Sequence, residues 1–141
     1  NNNKDSMAAY MKDGFSINKL QSELLDPNSE FYFAYINKDL AGYLKINIGS
    51  SQTDIKSDKG LEIQRIYLLK DFYGKKIGQL LLDKTIAIAR QNNLEYIWLS
   101  VWEKNPKAIK FYEKNRFIEF NKHIFTLGTE EQTDIMMKLK L

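Results

Sequence analysis

The chain has 141 residues, 43% apolar and 28% charged, with 21 basic against 18 acidic side chains and a net charge of +3. That length makes one domain with a single core, and so balanced a charge argues against a nucleic-acid binder, whose affinity comes from neutralising many phosphates. With no cysteine and one histidine, His123, thiol nucleophiles, thiolate zinc sites, His-built metal clusters and Ser-His-Asp triads drop out. Catalysis, if any, must run on carboxylates, tyrosines, hydroxyls, lysines and backbone dipoles, with no metal. No stretch approaches the run of about 18 apolar residues that spans a bilayer, and no charged-then-apolar signal segment opens the chain. No membrane association is expected, and the expected location is cytoplasmic.

Residues 1–4 are a polar lead-in. Met7, Ala8, Tyr10 and Met11 can share one side of a short helix closed by Gly14; Ser16 then caps a second helix carrying Ile17, Leu20 and Leu24, ended by Asp26-Pro27. Residues 31–36, FYFAYI, and 40–48, LAGYLKINI, read as strands joined by an Asn37-Lys38-Asp39 turn into a hairpin, with Leu40, Gly42, Leu44, Ile46 and Ile48 on one face. A polar loop, 49–60, leads to a strand over 61–69, LEIQRIYLL. The stretch DFYGKKIGQLLLDK follows and opens a helix to about Gln91 with Ile77, Leu80, Leu81, Ala87 and Ile88 on one stripe, widened by Leu82 and Ile86.

EYIWLSVW, 95–102, is apolar on both faces, as a covered central strand should be. Strand, helix and strand of these lengths make a right-handed parallel crossover. Asn105-Pro106 is a cap with proline at the first helical position. It starts a helix to about Asn115 with Ala108, Ile109 and Tyr112 on one stripe. Strands over 116–127 and 133–141 close the chain as a second hairpin. The order predicts a single α/β domain, 1–141, on a mixed sheet.

Gly74 and Gly78, with Lys75-Lys76 between them at a helix start, suit an anion, because backbone N–H groups and the helix dipole converge there. Neither of the two best-known phosphate-loop spacings is present. Glycines before helices also serve as plain caps, Tyr112 on an apolar stripe also suits a core residue, and Asn105 also suits a plain N-cap. Trp98 and Trp102 share a face with Tyr96 and Ser100; Trp98 suits core packing, and Trp102 at the strand end suits either core or acceptor binding. His123 in the last hairpin reads as a surface residue.

Taken whole, 61–112 resembles the GNAT superfamily of N-acetyltransferases, and LEIQRIYLL, IWLSVWEKNPKAIKFYEK and GTEEQTDIMM are similar to bacterial Pai-type spermidine/spermine N-acetyltransferases. The resemblance implies a mostly antiparallel mixed sheet around a central parallel βαβ crossover with flanking helices, the family's first strand and most of its first helix being absent from this chain. It implies acetyl-CoA as co-substrate. The family's loop pattern falls on Tyr73, Gly74, Lys75, Lys76, Ile77 and Gly78, with Gln79 following. The preceding strand, through Ile66, Tyr67 and Leu68, and then Asn105, hold the pantetheine arm. Tyr112 matches the family's tyrosine that protonates the leaving thiolate.

Tyr73 stands where the family has Gln or Arg, and Lys76 where it has glycine; Lys76 is expected to offer its amide provided its φ is not positive. Arg116 replaces the glycine that stops the helix, so Asn115 is expected to take the left-handed turn. The acceptor implied is a small-molecule amine, a polyamine such as spermidine or spermine first, a protein N-terminus or another small amine as alternatives, with direct transfer since no cysteine can carry an acyl group. A protonated amine must lose a proton before attack; a carboxylate acting directly or through water is the expected base, Glu62 the first choice and Glu103 the second. Trp102 and Glu103 are acceptor-binding candidates, with Glu130, Glu131 and Asp134 as further anionic surface. A non-catalytic acetyl-CoA-binding module is the rival reading, and a homodimer is left open.

Overall fold

The computed structural model describes residues 24–141. The short helix around Met7–Met11 and the start of the helix capped by Ser16 lie outside the described residues; Leu24 and Leu25 are helical and the helix ends at Asp26. The first hairpin forms as expected, β1 (Ser29–Ile36) against β2 (Asp39–Ile48). Asn37, at φ +58, makes the turn, a conformation asparagine tolerates better than other side-chain-bearing residues. β3 (Gly60–Leu68), α1 (Ile77–Gln91) and β4 (Tyr96–Trp102) form the crossover, followed by α2 (Pro106–Lys114) and the hairpin β5 (Ile118–Leu127), β6 (Glu130–Lys140). The last strand starts earlier than expected because the turn is short: Leu127 pairs with Glu130 across Gly128, whose φ is +65.

One sheet runs β1-β2-β3-β4-β6-β5. Every neighbouring pair is antiparallel except β3 with β4. Leu44, Ile46, Leu61, Ile63, Ile97, Leu99 and Met137 point to one face and are at most 3% exposed. α1 packs across that face against β2, β3 and β4. Its buried side is Ile77, Leu81, Leu82, Thr85, Ile88 and Ala89, whereas Leu80 is 59% exposed and Ala87 is exposed. The expected stripe was therefore turned too far: the seam follows 77, 81, 85 and 88, and Leu80 and Ala87 fall on its flanks.

The other face buries polarity. Lys45, Asn47, Gln52 and Glu62 are each at most 4% exposed. Loop 49–59, which reads as an unremarkable polar linker, is fastened there. Gln52 donates to the carbonyls of Gly49 (3.2 Å) and Ser57 (2.9 Å) and accepts from the indole of fully buried Trp98 at 2.8 Å.

Two irregularities shape the middle of the sheet. β3 pairs with β4 only from Gly60↔Tyr96 to Ile63↔Leu99. Beyond that point β3 stays with β2 as far as Gly42↔Leu68, and β4 stays with β6 as far as Trp102↔Asp134, so the strands part. At the same place β3 bulges: Ile63 faces Ile46 and Arg65 faces Lys45, leaving Gln64 without a cross-strand partner.

Gly42 is where this geometry is most intolerant of change. A Cβ there would lie 2.4 Å from the backbone oxygen of Tyr67 and 3.1 Å from Leu68 Cδ2. Gly42→Ala must push back the part of β3 that borders the parting strands. Overpacking of this kind costs roughly 1–3 kcal/mol, so thermal unfolding should show a melting temperature lowered by about 3–10 °C. An unchanged melting temperature would mean that β3 yields freely.

Candidate active site

The parting of β3 and β4 opens a cleft through the sheet. On one side a chamber of about 380 Å³ is bounded by Ile66, Tyr67 and Leu68 of β3, Tyr73, Gly74 and Gly78 of the glycine loop, and Asn105, Lys107, Ala108, Phe111 and Tyr112 at the start of and along α2. A second chamber of about 320 Å³ adjoins it, bounded by Ile63 to Tyr67 of β3, Leu99 to Trp102 of β4, and again Asn105, Ala108 and Tyr112. Two strand edges that stop pairing inside a sheet leave backbone donors and acceptors facing a gap, and such groups need partners. An extended ligand bearing amides supplies them as an added strand would.

The loop is built to receive an anion. Gly74 has φ +77 with nothing within 4 Å of where a Cβ would stand. Lys76, the residue before α1, has φ +59 and no side-chain cap. The sequence expectation made the Lys76 amide available only if φ were not positive. The positive φ corrects that condition, and the amide is nonetheless open. The first bond of the helix runs from Leu80 N to Lys76 O at 3.1 Å. The amides of Lys76, Ile77, Gly78 and Gln79 have no acceptor among the described residues. No acidic side chain occupies the first turn, while Lys75 and Lys76 flank it. Successive open amides around left-handed residues form an anion-binding concavity.

Not every residue placed here by sequence contributes its side chain. Ile77 is buried in the core, and Gln79 donates to Asp83 at 2.9 Å and to Asn115 at 3.0 Å, tying α1 to the end of α2. These two offer backbone only. Tyr73 is 56% exposed at the rim with Lys107 Nζ 5.6 Å above its ring. Sequence reading missed Lys107 and Phe111 as lining residues. Helical spacing puts Phe111 one turn after Lys107 and Ala108, and that signal was there to be followed from Asn105.

Asn105 caps α2, its Oδ1 accepting from Ala108 N at 3.2 Å, and also lines both chambers. Tyr112 lines both chambers as well. Its ring packs edge-on against Phe111 and Phe117, at 5.2 and 5.4 Å between centroids. Burial pushes its hydroxyl up to about 12, so it holds its proton throughout the neutral range. Arg116, not Asn115, takes the left-handed stop of α2, at φ +74 against −91 for Asn115.

The carboxylates are elsewhere. Glu62 is 3% exposed and borders neither chamber. Its Oε1 accepts from Thr53 N at 2.8 Å and Asn47 Nδ2 at 2.9 Å, and its Oε2 from the Thr53 hydroxyl. Both oxygens of Glu62 are thus engaged within the sheet, and its carboxylate does not reach either chamber directly. Strand alternation puts Glu62 on the right face, but it does not reveal the loop that covers it. Glu103 is exposed and anchors the end of β4 through its backbone N–H to Thr133 O at 3.0 Å. Glu103, Glu130, Glu131 and Asp134 border neither chamber; Trp102, 46% exposed, borders the second. His123 lies outside both, 3.6 Å from Asp54 and stacked on Phe125. Among the described residues no group of three or more histidine or carboxylate side chains could hold a metal ion, and no helix is long and apolar enough to cross a membrane.

A loop of open amides beside lysines, a strand edge left unpaired and a protonated tyrosine between two chambers fit a coenzyme A thioester. The sequence profile of the acetyltransferase (GNAT) family matches residues 2–117, and the chain belongs to that family. It is an N-acetyltransferase, an acyltransferase enzyme with acetyl-CoA as co-substrate. It is 35% identical over 140 residues, covering 99% of this chain and 81% of the relative, to an uncharacterized N-acetyltransferase of the pepI 3' region of Lactobacillus delbrueckii subsp. lactis. It is 25% identical over 118 residues, 81% of this chain and 68% of the relative, to spermidine N(1)-acetyltransferase of Thermoplasma acidophilum. In fold it is similar to the PaiA N-acetyltransferase of Thermoplasma acidophilum solved with coenzyme A, with a TM-score of 0.74, 23% identity and coverage of 97% of this chain and 79% of the other. A probable acetyltransferase from Staphylococcus epidermidis superposes with a TM-score of 0.78 at 13% identity, over 94% of this chain and 81% of the other.

The left-handed Lys76 gives a test. A side chain in this conformation costs roughly 1 kcal/mol that glycine does not incur. Lys76→Gly should raise the melting temperature by about 2–4 °C. Titration calorimetry should show acetyl-CoA affinity kept within about threefold, because the open amides stay and only one exposed cation is lost. A large loss of affinity would assign the phosphate contact to the lysine side chain instead.

Proposed function

We propose that this N-acetyltransferase moves the acetyl group of acetyl-CoA to the primary amine of a small molecule, with both substrates bound at once across the cleft. The observation that carries the reading is the position of Tyr112, whose ring forms a wall of both chambers. In this reading the first chamber takes the coenzyme, with the amides of Lys76 to Gln79 on the pyrophosphate, Lys107 beside it, and the free edge of β3 at Ile66, Tyr67 and Leu68 with Asn105 on the pantetheine arm. Bound acetyl-CoA supplies an activated thioester. The second chamber, with Trp102 at its mouth, takes the amine.

Tyr112 holds a proton at its hydroxyl beside the leaving sulfur. Complete transfer from a group at about 12 to a thiolate whose acid lies near ~8.5 is uphill. Its contribution is therefore a hydrogen bond donated as charge develops on sulfur, with the proton made good from the acylated amine. With no carboxylate among the described lining residues, the amine sheds its proton to water through the open mouth, and Glu62 acts by hydrogen bonds within the sheet.

A polyamine such as spermidine is the acceptor the resemblance implies. Among the relatives, one name, spermidine N(1)-acetyltransferase, supports it, whereas Glu103, Glu130, Glu131 and Asp134 stand away from both chambers. A homodimer would find its surface on outer strand β5, where Ile118, Phe120, Ile124 and Phe125 are exposed.

Thiol release from acetyl-CoA, measured over a panel of amines that includes spermidine and spermine, tests the reading; an inert panel sinks it. Tyr112→Phe keeps the ring packing, so the melting temperature and coenzyme affinity should hold while kcat falls roughly 10²–10⁴-fold. A fall below tenfold makes Tyr112 a packing residue. The pH profile gives a further check. The Tyr112 hydroxyl stays protonated until pH approaches about 12, so kcat/KM should climb with the free-amine fraction and show no descending limb below about pH 10. Glu62→Gln should leave that profile unchanged in shape. An ascending limb present in wild type and absent in Glu62→Gln would restore Glu62 as the base.

A further inference from the structure

Gln64 occupies a singular place. It is the bulged residue of β3, it follows directly on the last rung of the β3–β4 ladder, and it lines the second chamber with Tyr67, Ser100, Trp102 and Tyr112. Its side-chain orientation is set from behind. Thr53 N is a backbone donor and can only donate, so Glu62 Oε1, 2.8 Å away, is an acceptor. Asn47, which reaches the same oxygen at 2.9 Å, must therefore turn its NH₂ toward it. At its other end Asn47 Oδ1 accepts from the Ser29 hydroxyl at 2.7 Å, a contact consistent with the orientation that Glu62 imposes. The second hydrogen of that NH₂ goes to Gln64 at 2.8 Å, so Gln64 must answer with its oxygen. Its own NH₂ is left over, and among the described residues nothing accepts from it. The buried carboxylate, through two amides in series, makes Gln64 present a donor.

We propose that Gln64 is a specificity-determining residue that recognises an oxygen on the acceptor, so that the preferred substrates are small amines carrying a carbonyl, carboxylate or hydroxyl oxygen close to the amino nitrogen. This rests on the assignment of the second chamber to the amine. An oxygen lone pair satisfies the Gln64 donor; a simple alkylamine leaves it unmet, and a second ammonium group brings only more hydrogens to it. Among the described lining residues the charged side chain is Arg65 and none is a carboxylate, which points the same way. Glu62 is then a positioning residue, acting through Asn47.

The test compares glycinamide and ethanolamine with n-propylamine and spermidine by thiol release, rates being referred to the free-amine concentration. Wild type should favour the oxygen-bearing amines by about tenfold or more, the value of one well-placed hydrogen bond, chiefly in KM. Gln64→Glu replaces the donor with an acceptor and should collapse that ratio, with spermidine gaining; acetyl-CoA affinity by calorimetry should stay within about twofold. Should Gln64→Glu not fold, Gln64→Leu removes the donor and should lower the ratio without a gain for spermidine. Calorimetry of N-acetylglycinamide against N-propylacetamide on the coenzyme A-loaded protein reads the same preference without turnover. A ratio near one in wild type, or one unmoved in a folded Gln64 variant, overturns the proposal. If acetyl-CoA binds and no amine of any kind is turned over, the transferase reading itself fails and takes this one with it.

Discussion

The site depends on a ladder that stops. Four residue pairs join β3 to β4, and then this parallel pairing, the only one among the described residues, ends at Ile63↔Leu99. Continuing it would satisfy the backbone groups of both strands, and each buried group left alone costs about 1–3 kcal/mol. What holds the strands apart is their other neighbours: β2 keeps β3 in register to Leu68, and β6 keeps β4 in register to Trp102. The bulge at Gln64 adds local twist to β3 just where it departs. The opening is thus a wedge between two rigid antiparallel units, and water or a ligand's amides must occupy it. Asn105 caps α2 just past the end of β4 and carries Tyr112 into the mouth of the wedge.

The two faces of the sheet divide the labour. The α1 face is apolar and carries the stability, with side chains such as Leu82 and Ile97 fully buried. Each is worth roughly 1.5–3 kcal/mol by area. The opposite face buries Glu62, Asn47 and Gln52, whose desolvation is tolerable only because each finds partners. Glu62 is met by Thr53 of loop 49–59 and by Asn47, Asn47 also by Ser29 and Gln64, and the loop residue Gln52 by Trp98, so the polar network does for the loop what packing does elsewhere. A network so extensively bonded resists repacking more than an apolar patch would, and through Asn47 it holds Gln64 of the second chamber in one arrangement.

How far the sequence could be read follows from the range of the interactions. Period-two alternation and helical spacing are local, and they yield both hairpins, the crossover and the cap at Asn105. The resemblance added the loop, β3 edge and Tyr112, and the structure gathers their residues around one cleft. What escaped is long-range or conformationally unusual. Glu62 meets Thr53, and Trp98 meets Gln52, only after folding, and nothing in the letters of loop 49–60 marks which of them will cap a strand. Lys76 and Arg116 adopt left-handed φ, a state that basic residues rarely enter. Propensity favours Asn115 over its neighbour Arg116, and so misplaces the helix stop by one residue. The stripe on α1 was misplaced by Leu80, because three successive leucines cannot all face inward on a helix.

That helix stop matters more than its single-residue shift suggests. With Arg116 at φ +74, its N–H bonds Glu113 O at 2.9 Å and the next, Phe117 N–H, bonds Tyr112 O at 3.0 Å, the paired bonds of a Schellman ending. Had Asn115 turned instead, both bonds would shift back one residue and the Tyr112 carbonyl would lose this partner. The observed ending delivers Phe117 into the core, 2% exposed, with its ring 5.4 Å from that of Tyr112. The strain at Arg116, roughly 1 kcal/mol, is offset by burying Phe117. One left-handed non-glycine residue at each end of the site, Lys76 under the loop and Arg116 behind the tyrosine, thus helps set the two features that a thioester would meet. Side-chain chemistry enters at Tyr112; most of the site's geometry is backbone.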